Sequence, residues 1–137
     1  MTEPLDHHEA LIYAMVTTSA VDRAMTDKEL ARIGQIVSHL PVFEDYDSSG
    51  LVKTAEACGE LLGTEGGLDR VLLQIRSAVP KKLRETAYAV ALEVAAADLD
   101  VKPEESHFLE LLRESLGIDK LTGTAIERGI RARNKVL

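Results

Sequence analysis

The chain has 137 residues and a formal net charge of −7, with 45% hydrophobic and only 4% aromatic residues. This length suits one domain with its own core and is short for two. The aliphatic, alanine-rich composition favours packed helices over a β-sandwich. Because a nucleic-acid binder needs a basic face, the negative charge argues against that class.

Hydrophobic spacing predicts a first helix over about residues 6–21. Thr26 and Glu29 match the S/T-x-x-E capping box and predict the start of a second helix. Pro41 ends this second helix, because the residue before a proline disfavours helical backbone. Residues 42–49 then form a loop.

A third helix is predicted over about residues 50–62. Gly63 follows it and is the usual residue for a left-handed C-terminal cap. Thr64 is a candidate cap for a fourth helix, which the Gly66-Gly67 pair shortens or delays.

Pro80 and Pro103 suit the first turns of a fifth and a sixth helix. The fifth helix runs to about Ala97 and is apolar on most sides, which predicts that it is the central helix of the domain. Gly117 ends the sixth helix, and Asp119 caps a seventh.

The sequence therefore predicts an all-α fold, a single compact domain of about seven helices over residues 1–137. Its core covers about residues 8–120, and a C-terminal helix covers about 120–134. Aligning residues 10–42 with 86–118 gives four identities and a better match of apolar positions. This match predicts two pseudo-symmetric helix-turn-helix hairpins.

The turn of each hairpin carries an Asp, an apolar residue three positions later and a Glu four positions after that. The two sets lie 76 positions apart and comprise Asp22, Met25 and Glu29, then Asp98, Val101 and Glu105. Each Asp lies at the negative end of a helix dipole, where a cation or a basic side chain has to compensate it. We expect the central apolar residue to plug each turn into the core.

These acidic turns have two interpretations. Carboxylate oxygens are hard ligands that suit Mg²⁺, Ca²⁺ or Mn²⁺, so Asp22, Glu29, Asp98 and Glu105 would form one metal site if the hairpins meet. Alternatively, the Glu residues cap helices and the Asp residues bond nearby backbone N–H groups, in which case the turns are purely structural.

A second acidic segment, residues 45–56, fits the EF-hand loop pattern through Asp45, Asp47, Ser49, Gly50 and Glu56. Its context argues against a calcium loop, because a proline interrupts the preceding helix and no second EF-hand pairs with it. Asp47 equally suits the cap of a helix start.

Candidates for catalysis are lacking in the sequence. The single cysteine, Cys58, excludes an intramolecular disulfide and is expected on the inner face of a helix as a small hydrophobe. The His7-His8 pair is interpreted as an exposed helix start. Without a recognisable catalytic motif, the chain is not expected to be an enzyme.

Targeting signals are also missing. The N-terminus has neither a basic nor an apolar signal region. The longest weakly polar run, residues 87–97, is too short to span a bilayer. We therefore expect a cytoplasmic protein with no direct membrane insertion.

The alanine-rich stretch over residues 89–97, the Asp98-to-Glu105 turn and the leucine-rich helix after it resemble the TerB-like tellurite-resistance family. Residues 20–30 resemble the other acidic turn of that family. The resemblance covers about residues 8–120 and implies an all-helical, cytoplasmic, non-enzymatic module.

The same resemblance implies a role in tellurite or other stress resistance and a divalent cation at the acidic turns. Carried onto this chain, the ligands would be Asp22, Glu29, Asp98 and Glu105. It also implies protein partners among stress-response proteins, some of them membrane-associated. The alternative is a protein-interaction domain without metal, in which the acidic turns serve as helix caps.

Overall fold

The structure, a computed structural model, describes residues 4–21, 24–97 and 101–137. Within these ranges it contains seven α-helices, three short 3₁₀ turns and no β-strand, which confirms the predicted all-α fold. In chain order, the helices are α1 (His7–Ala20), α2 (Asp27–His39), α3 (Leu51–Leu62), α4 (Gly67–Ala78), α5 (Arg84–Ala96), α6 (Pro103–Ser115) and α7 (Lys120–Arg133). None of these helices is both long enough and apolar enough to cross a bilayer.

Helix α1 lies at the centre of the fold. All of residues 10–19 are buried, and α1 packs against α2, α3, α4, α5 and α6. The sequence indicated one inward stripe, whereas the structure buries every side of this segment. The two threonine hydroxyls on its polar side find partners inside the core: Thr18 Oγ1 donates to the Ala14 carbonyl at 2.8 Å, and Thr17 Oγ1 lies 3.4 Å from Cys58 Sγ.

Helix α5, predicted as the central helix, is buried on most of its sides and packs against α1, α2, α6 and α7. It therefore shares the central position with α1. Helix α7 packs mainly on α5, and its one buried residue is Gly123. The C-terminal helix is thus the most peripheral of those described.

Local capping signals place the helix starts. Thr26 and Glu29 form the predicted capping box at α2, and Asp119 Oδ1 accepts the backbone N–H of Thr122 at 2.7 Å at the start of α7. Asp6 and Glu9 form a further capping box at α1. Each box satisfies N–H groups that have no partner inside the helix.

The connection between α3 and α4 differs from the prediction. Gly63 follows α3 in right-handed backbone (φ −75°), so it is not a left-handed cap. Thr64 does not cap α4, because its hydroxyl donates to the carbonyl of Leu61 at 2.6 Å. The left-handed residue is Gly66 (φ 68°), and α4 begins immediately after it, which confirms the predicted delay.

Pro41 and Pro103 lie where predicted, whereas Pro80 lies before a 3₁₀ turn and not in the first turn of the fifth helix. Pro41 ends α2 and opens a 3₁₀ turn to Phe43, so the predicted loop is partly ordered into turns. Pro80 precedes a 3₁₀ turn, which delays the start of the fifth helix to Arg84. Pro103 is the first residue of α6.

The helix boundaries follow the sequence repeat. Residues 27–39 of α2 and 103–115 of α6 correspond at the 76-residue offset. Residues 7–20 of α1 and 84–96 of α5 correspond within one residue. The two helix pairs that flank the acidic turns are therefore matched in length.

The left-handed backbone of Gly117 at the end of α6 can be tested by substitution. Gly117 has φ 71°, its N–H bonds the Glu114 carbonyl, and the N–H of Ile118 bonds the Arg113 carbonyl, as in a Schellman motif. A side chain costs about 1–2 kcal/mol in left-handed backbone. Gly117→Ala should therefore lower the free energy of unfolding by about 1 kcal/mol in urea denaturation.

Gly59 is the matched control. It lies inside α3, and a Cβ there would meet no other atom within 4 Å. Gly59→Ala should raise the free energy of unfolding by about 0.5–1 kcal/mol, because alanine is the better helix former. Equal destabilisation by both variants would contradict the left-handed cap at Gly117.

Candidate functional site

The first acidic turn joins α1 to α2. Asp22, its predicted metal ligand, lies outside the described residues. Met25 is half-buried and packs against the core, as predicted for the plug residue. Glu29 is the third residue of α2, and its Oε1 accepts the backbone N–H of Thr26 at 2.9 Å. This Glu therefore serves the capping box and remains on the rim of the turn.

The second acidic turn joins α5 to α6, and Asp98 also lies outside the described residues. Lys102 is the N-cap of α6 and makes no side-chain capping bond. Glu105 is the third residue of α6 and is only 2% exposed. The second turn thus differs from the first, because its Glu is withdrawn from water.

The plug prediction is wrong for Val101. This side chain is 36% exposed and lines a groove between α5, α6 and α7 instead of entering the core. The reason lies in helix α7, which covers α5 beside the turn and leaves a partly open groove at its flank. The plug role therefore holds for Met25 alone.

The two Glu residues of the predicted site thus lie at the same position of two equivalent helices. Across residues 4–21, 24–97 and 101–137, no three His, Cys, Asp or Glu side chains lie close enough to share a metal ion. Two of the four predicted ligands fall outside those ranges. The metal site formed by Asp22, Glu29, Asp98 and Glu105 therefore stays a prediction.

The segment resembling an EF-hand has a different structure. Asp47 Oδ1 accepts the backbone N–H of Ser49 at 3.0 Å and caps a 3₁₀ turn. Bonds from Ser49 lower the pKa of Asp47. Asp45 lies 3.4 Å from the His8 ring, and Glu56 is exposed on α3. All of this segment is described, and the cap formed by Asp47 agrees with the alternative prediction that this residue suits a helix start. No group of three side chains that could hold a metal ion lies in the segment.

His8 is buried, which corrects the prediction of an exposed His pair. Its Nε2 lies 2.9 Å from the carbonyl of Val42, and its ring contacts those of Phe43 and Tyr46. These contacts attach the start of α1 to the connection between α2 and α3. Helical spacing was the sequence signal that could have predicted this burial. His8 precedes the buried Leu11 and Ile12 by three and four positions, which places it on the same side of the helix.

Sequence reasoning missed a polar network at the end of α7. Glu93 of α5 pairs with Arg133, whose Nε lies 3.2 Å from Oε1. Asn134 donates to Glu93 at 3.5 Å and accepts from Arg32 Nη2 at 3.3 Å. The one sequence signal was that Glu93 is the single charged residue in the apolar run 87–97. Its partners lie at least 40 residues away in the chain.

Cys58 is fully buried, as predicted. Burial raises the pKa of its thiol to about 12, and its Sγ lies 3.4 Å from Thr17 Oγ1. A thiol is nucleophilic only as the thiolate. Cys58 is therefore a core residue and lacks the properties of a catalytic nucleophile.

The geometry defines a small all-helical module with two acidic helix-turn-helix connections, one of which buries its Glu. The sequence model described as tellurite resistance protein TerB matches residues 8–127, and the chain belongs to this family. This match confirms the resemblance carried by the acidic turns. No curated protein and no solved structure matches the chain.

The burial of Cys58 can be tested by chemical labelling of its thiol. At mildly alkaline pH, a pKa of about 12 leaves roughly a thousandfold less thiolate than the ordinary pKa of 8.5 does. A disulfide reagent should therefore react slowly with the native protein and rapidly in urea. The rate is measured by absorbance of the released thiolate.

The control for this experiment is Ser77→Cys, which adds a thiol on the exposed side of α4. That second thiol should react in the native protein at close to the unfolded rate. Equally fast labelling of Cys58 in the native protein would contradict its burial.

Proposed function

We propose that this TerB-family chain is a non-enzymatic module of a cytoplasmic tellurite or stress response. It binds a divalent cation through Asp22, Glu29, Asp98 and Glu105 and docks on partner proteins, some of them associated with membranes. The observation that carries the metal part is the buried carboxylate of Glu105 in the second acidic turn.

Charge energetics supports this role for Glu105. The positive end of a helix dipole favours a carboxylate in the first turn by about 0.3–1 kcal/mol. Removing a carboxylate from water costs several kcal/mol. Hydrogen-bond donors and positive charge close to the turn offset this difference, and Asp98 adds negative charge to the same segment of the sequence. A divalent cation neutralises several carboxylates at once.

Glu29 keeps the capacity to bind a metal despite its capping bond. The carboxylate group has two oxygens and about four lone-pair sites. The bond to the Thr26 N–H uses Oε1. Its half-buried position on the rim of the first turn is compatible with a ligand shared between two hairpins.

The ligand chemistry restricts the class of ion. All four proposed ligands are carboxylates, without the sulfur or imidazole donors that favour zinc or copper. Ca²⁺ takes six to eight oxygen ligands, and Mg²⁺ completes an octahedron with water. We therefore propose Ca²⁺, Mg²⁺ or Mn²⁺.

The main alternative is a protein-interaction domain without metal. The capping box of Glu29 favours it, because that box accounts for one acidic residue as architecture. Under this alternative, removing a cap costs about 1 kcal/mol of stability and leaves partner binding intact.

Calorimetric titration of the purified protein with Ca²⁺, Mg²⁺ and Mn²⁺ tests the proposal. We expect saturable binding of at least one ion. The free energy of unfolding should rise by about 2.7 kcal/mol when the free ion concentration exceeds Kd a hundredfold. Asp22→Ala combined with Asp98→Ala should weaken binding by more than about tenfold, since charged ligands are lost.

The matched control is Asp45→Ala combined with Glu56→Ala, which removes two carboxylates from the EF-hand-like segment. Its affinity for the ion should equal that of the unaltered chain, because that segment forms a cap. Absence of binding, or affinity unchanged in the Asp22/Asp98 double variant, would refute the metal site. A double variant that loses stability while still capturing its partners would favour the alternative.

A further inference from the structure

A groove with a volume of about 520 Å³ lies between α2, α5 and α7. Its volume is within the range of small-molecule sites, about 300–1,000 Å³. Part of the groove is apolar, and its apolar lining consists of Ile36, Leu40, Ala89, Val90 and Ile130. An amphipathic occupant would bury its hydrocarbon portion here.

One end of the groove is basic, although the chain as a whole carries a net charge of −7. Arg32 and Arg133 both line the groove, and among the described residues the one carboxylate in its lining is that of Glu93. Glu93 is paired with Arg133 through Arg133 Nε at 3.2 Å. Within residues 4–21, 24–97 and 101–137, the remaining positive charge that lines this end is that of Arg32.

The guanidinium of Arg32 has donor capacity to spare. Its Nη2 donates to a neutral acceptor, Asn134 Oδ1, at 3.3 Å. Its Nε is buried and has no hydrogen-bond acceptor in the part of the chain that the structure describes. A guanidinium has five N–H donors and matches a carboxylate in a bidentate arrangement. An anionic group beside Arg32 would supply the acceptor that Nε lacks, after a small reorientation of the side chain.

We propose that this groove binds an amphipathic monocarboxylate. The carboxylate pairs with Arg32 at the basic end, and the hydrocarbon chain lies along Ile36, Ala89 and Leu40. The α5 wall from Glu93 to Thr86 covers eight residues and is about 10 Å long, which suits an alkyl chain of medium length. This site is separate from the acidic turns and does not depend on a metal.

Titration with decanoate tests the assignment, with decanol and acetate as partial ligands and a metal chelator present throughout. Decanoate should bind saturably. Decanol should bind at least about tenfold more weakly because it lacks the charge, and acetate should show no detectable binding. Arg32→Gln should weaken the binding of decanoate by at least about tenfold and leave the affinity for decanol unchanged.

Two further variants keep the test specific. Ala89→Phe fills the groove at a partly exposed position and should abolish binding of decanoate and decanol. Arg76→Gln removes an exposed arginine from α4 and should leave decanoate binding unchanged. Circular dichroism and thermal unfolding verify that each variant is folded.

Several results would overturn the proposal. These are absence of decanoate binding, equal affinity in the Arg32→Gln variant, and binding that survives Ala89→Phe. Capture of an acidic peptide by the groove without decanoate binding would also overturn it and assign the groove to a protein partner instead.

Discussion

The burial of α1 on all sides is the constraint on which the rest of the structure depends. Residues 10–19 have no face toward solvent, so five other helices must surround this segment. Its two threonine hydroxyls find partners inside the core, Thr18 at the Ala14 carbonyl and Thr17 at Cys58 Sγ. At its start, the bond of His8 to the Val42 carbonyl attaches α1 to the connection that follows α2. The start of α1 is thereby fixed, and the first acidic turn follows its C-terminal end. Its neighbour α5, also buried on most sides, leads into the second turn.

Carboxylates occupy three different environments in this fold, and the environment decides what each can do. At exposed helix starts, as at Asp119 and Glu29, they satisfy backbone N–H groups. On α5, Glu93 is shielded from water and stabilised by Arg133 and Asn134 from α7. In the first turn of α6, Glu105 is withdrawn from water almost completely. An acidic residue in the sequence is therefore not by itself a ligand, and burial distinguishes Glu105 from Glu29.

Local signals predicted the fold well, because the bonds that place helix ends join residues close together in the chain. The Thr26–Glu29 capping box, Pro103 and Gly117 each act within about five residues. The predictions that were wrong involved distant partners or competing local bonds. His8 is buried by residues 34 or more positions away, and Val101 stays partly exposed beside α7. At the EF-hand-like segment, Asp47 and Ser49 form a cap that satisfies the same sequence pattern. For the candidate site, the sequence supplied the four carboxylates, whereas the difference in burial between its two Glu residues was not foreseeable.

The sequence by itself determined the all-α class, most helix boundaries and the chemistry of the two acidic turns. It could do so because helix periodicity, caps and proline effects act over a few residues. Tertiary structure alone decided that α1 is enclosed, that Glu105 leaves water and that Arg32, Glu93 and Arg133 lie together on one groove. These features depend on helices far apart in sequence packing side by side, and no local pattern encodes which side chains that packing removes from solvent.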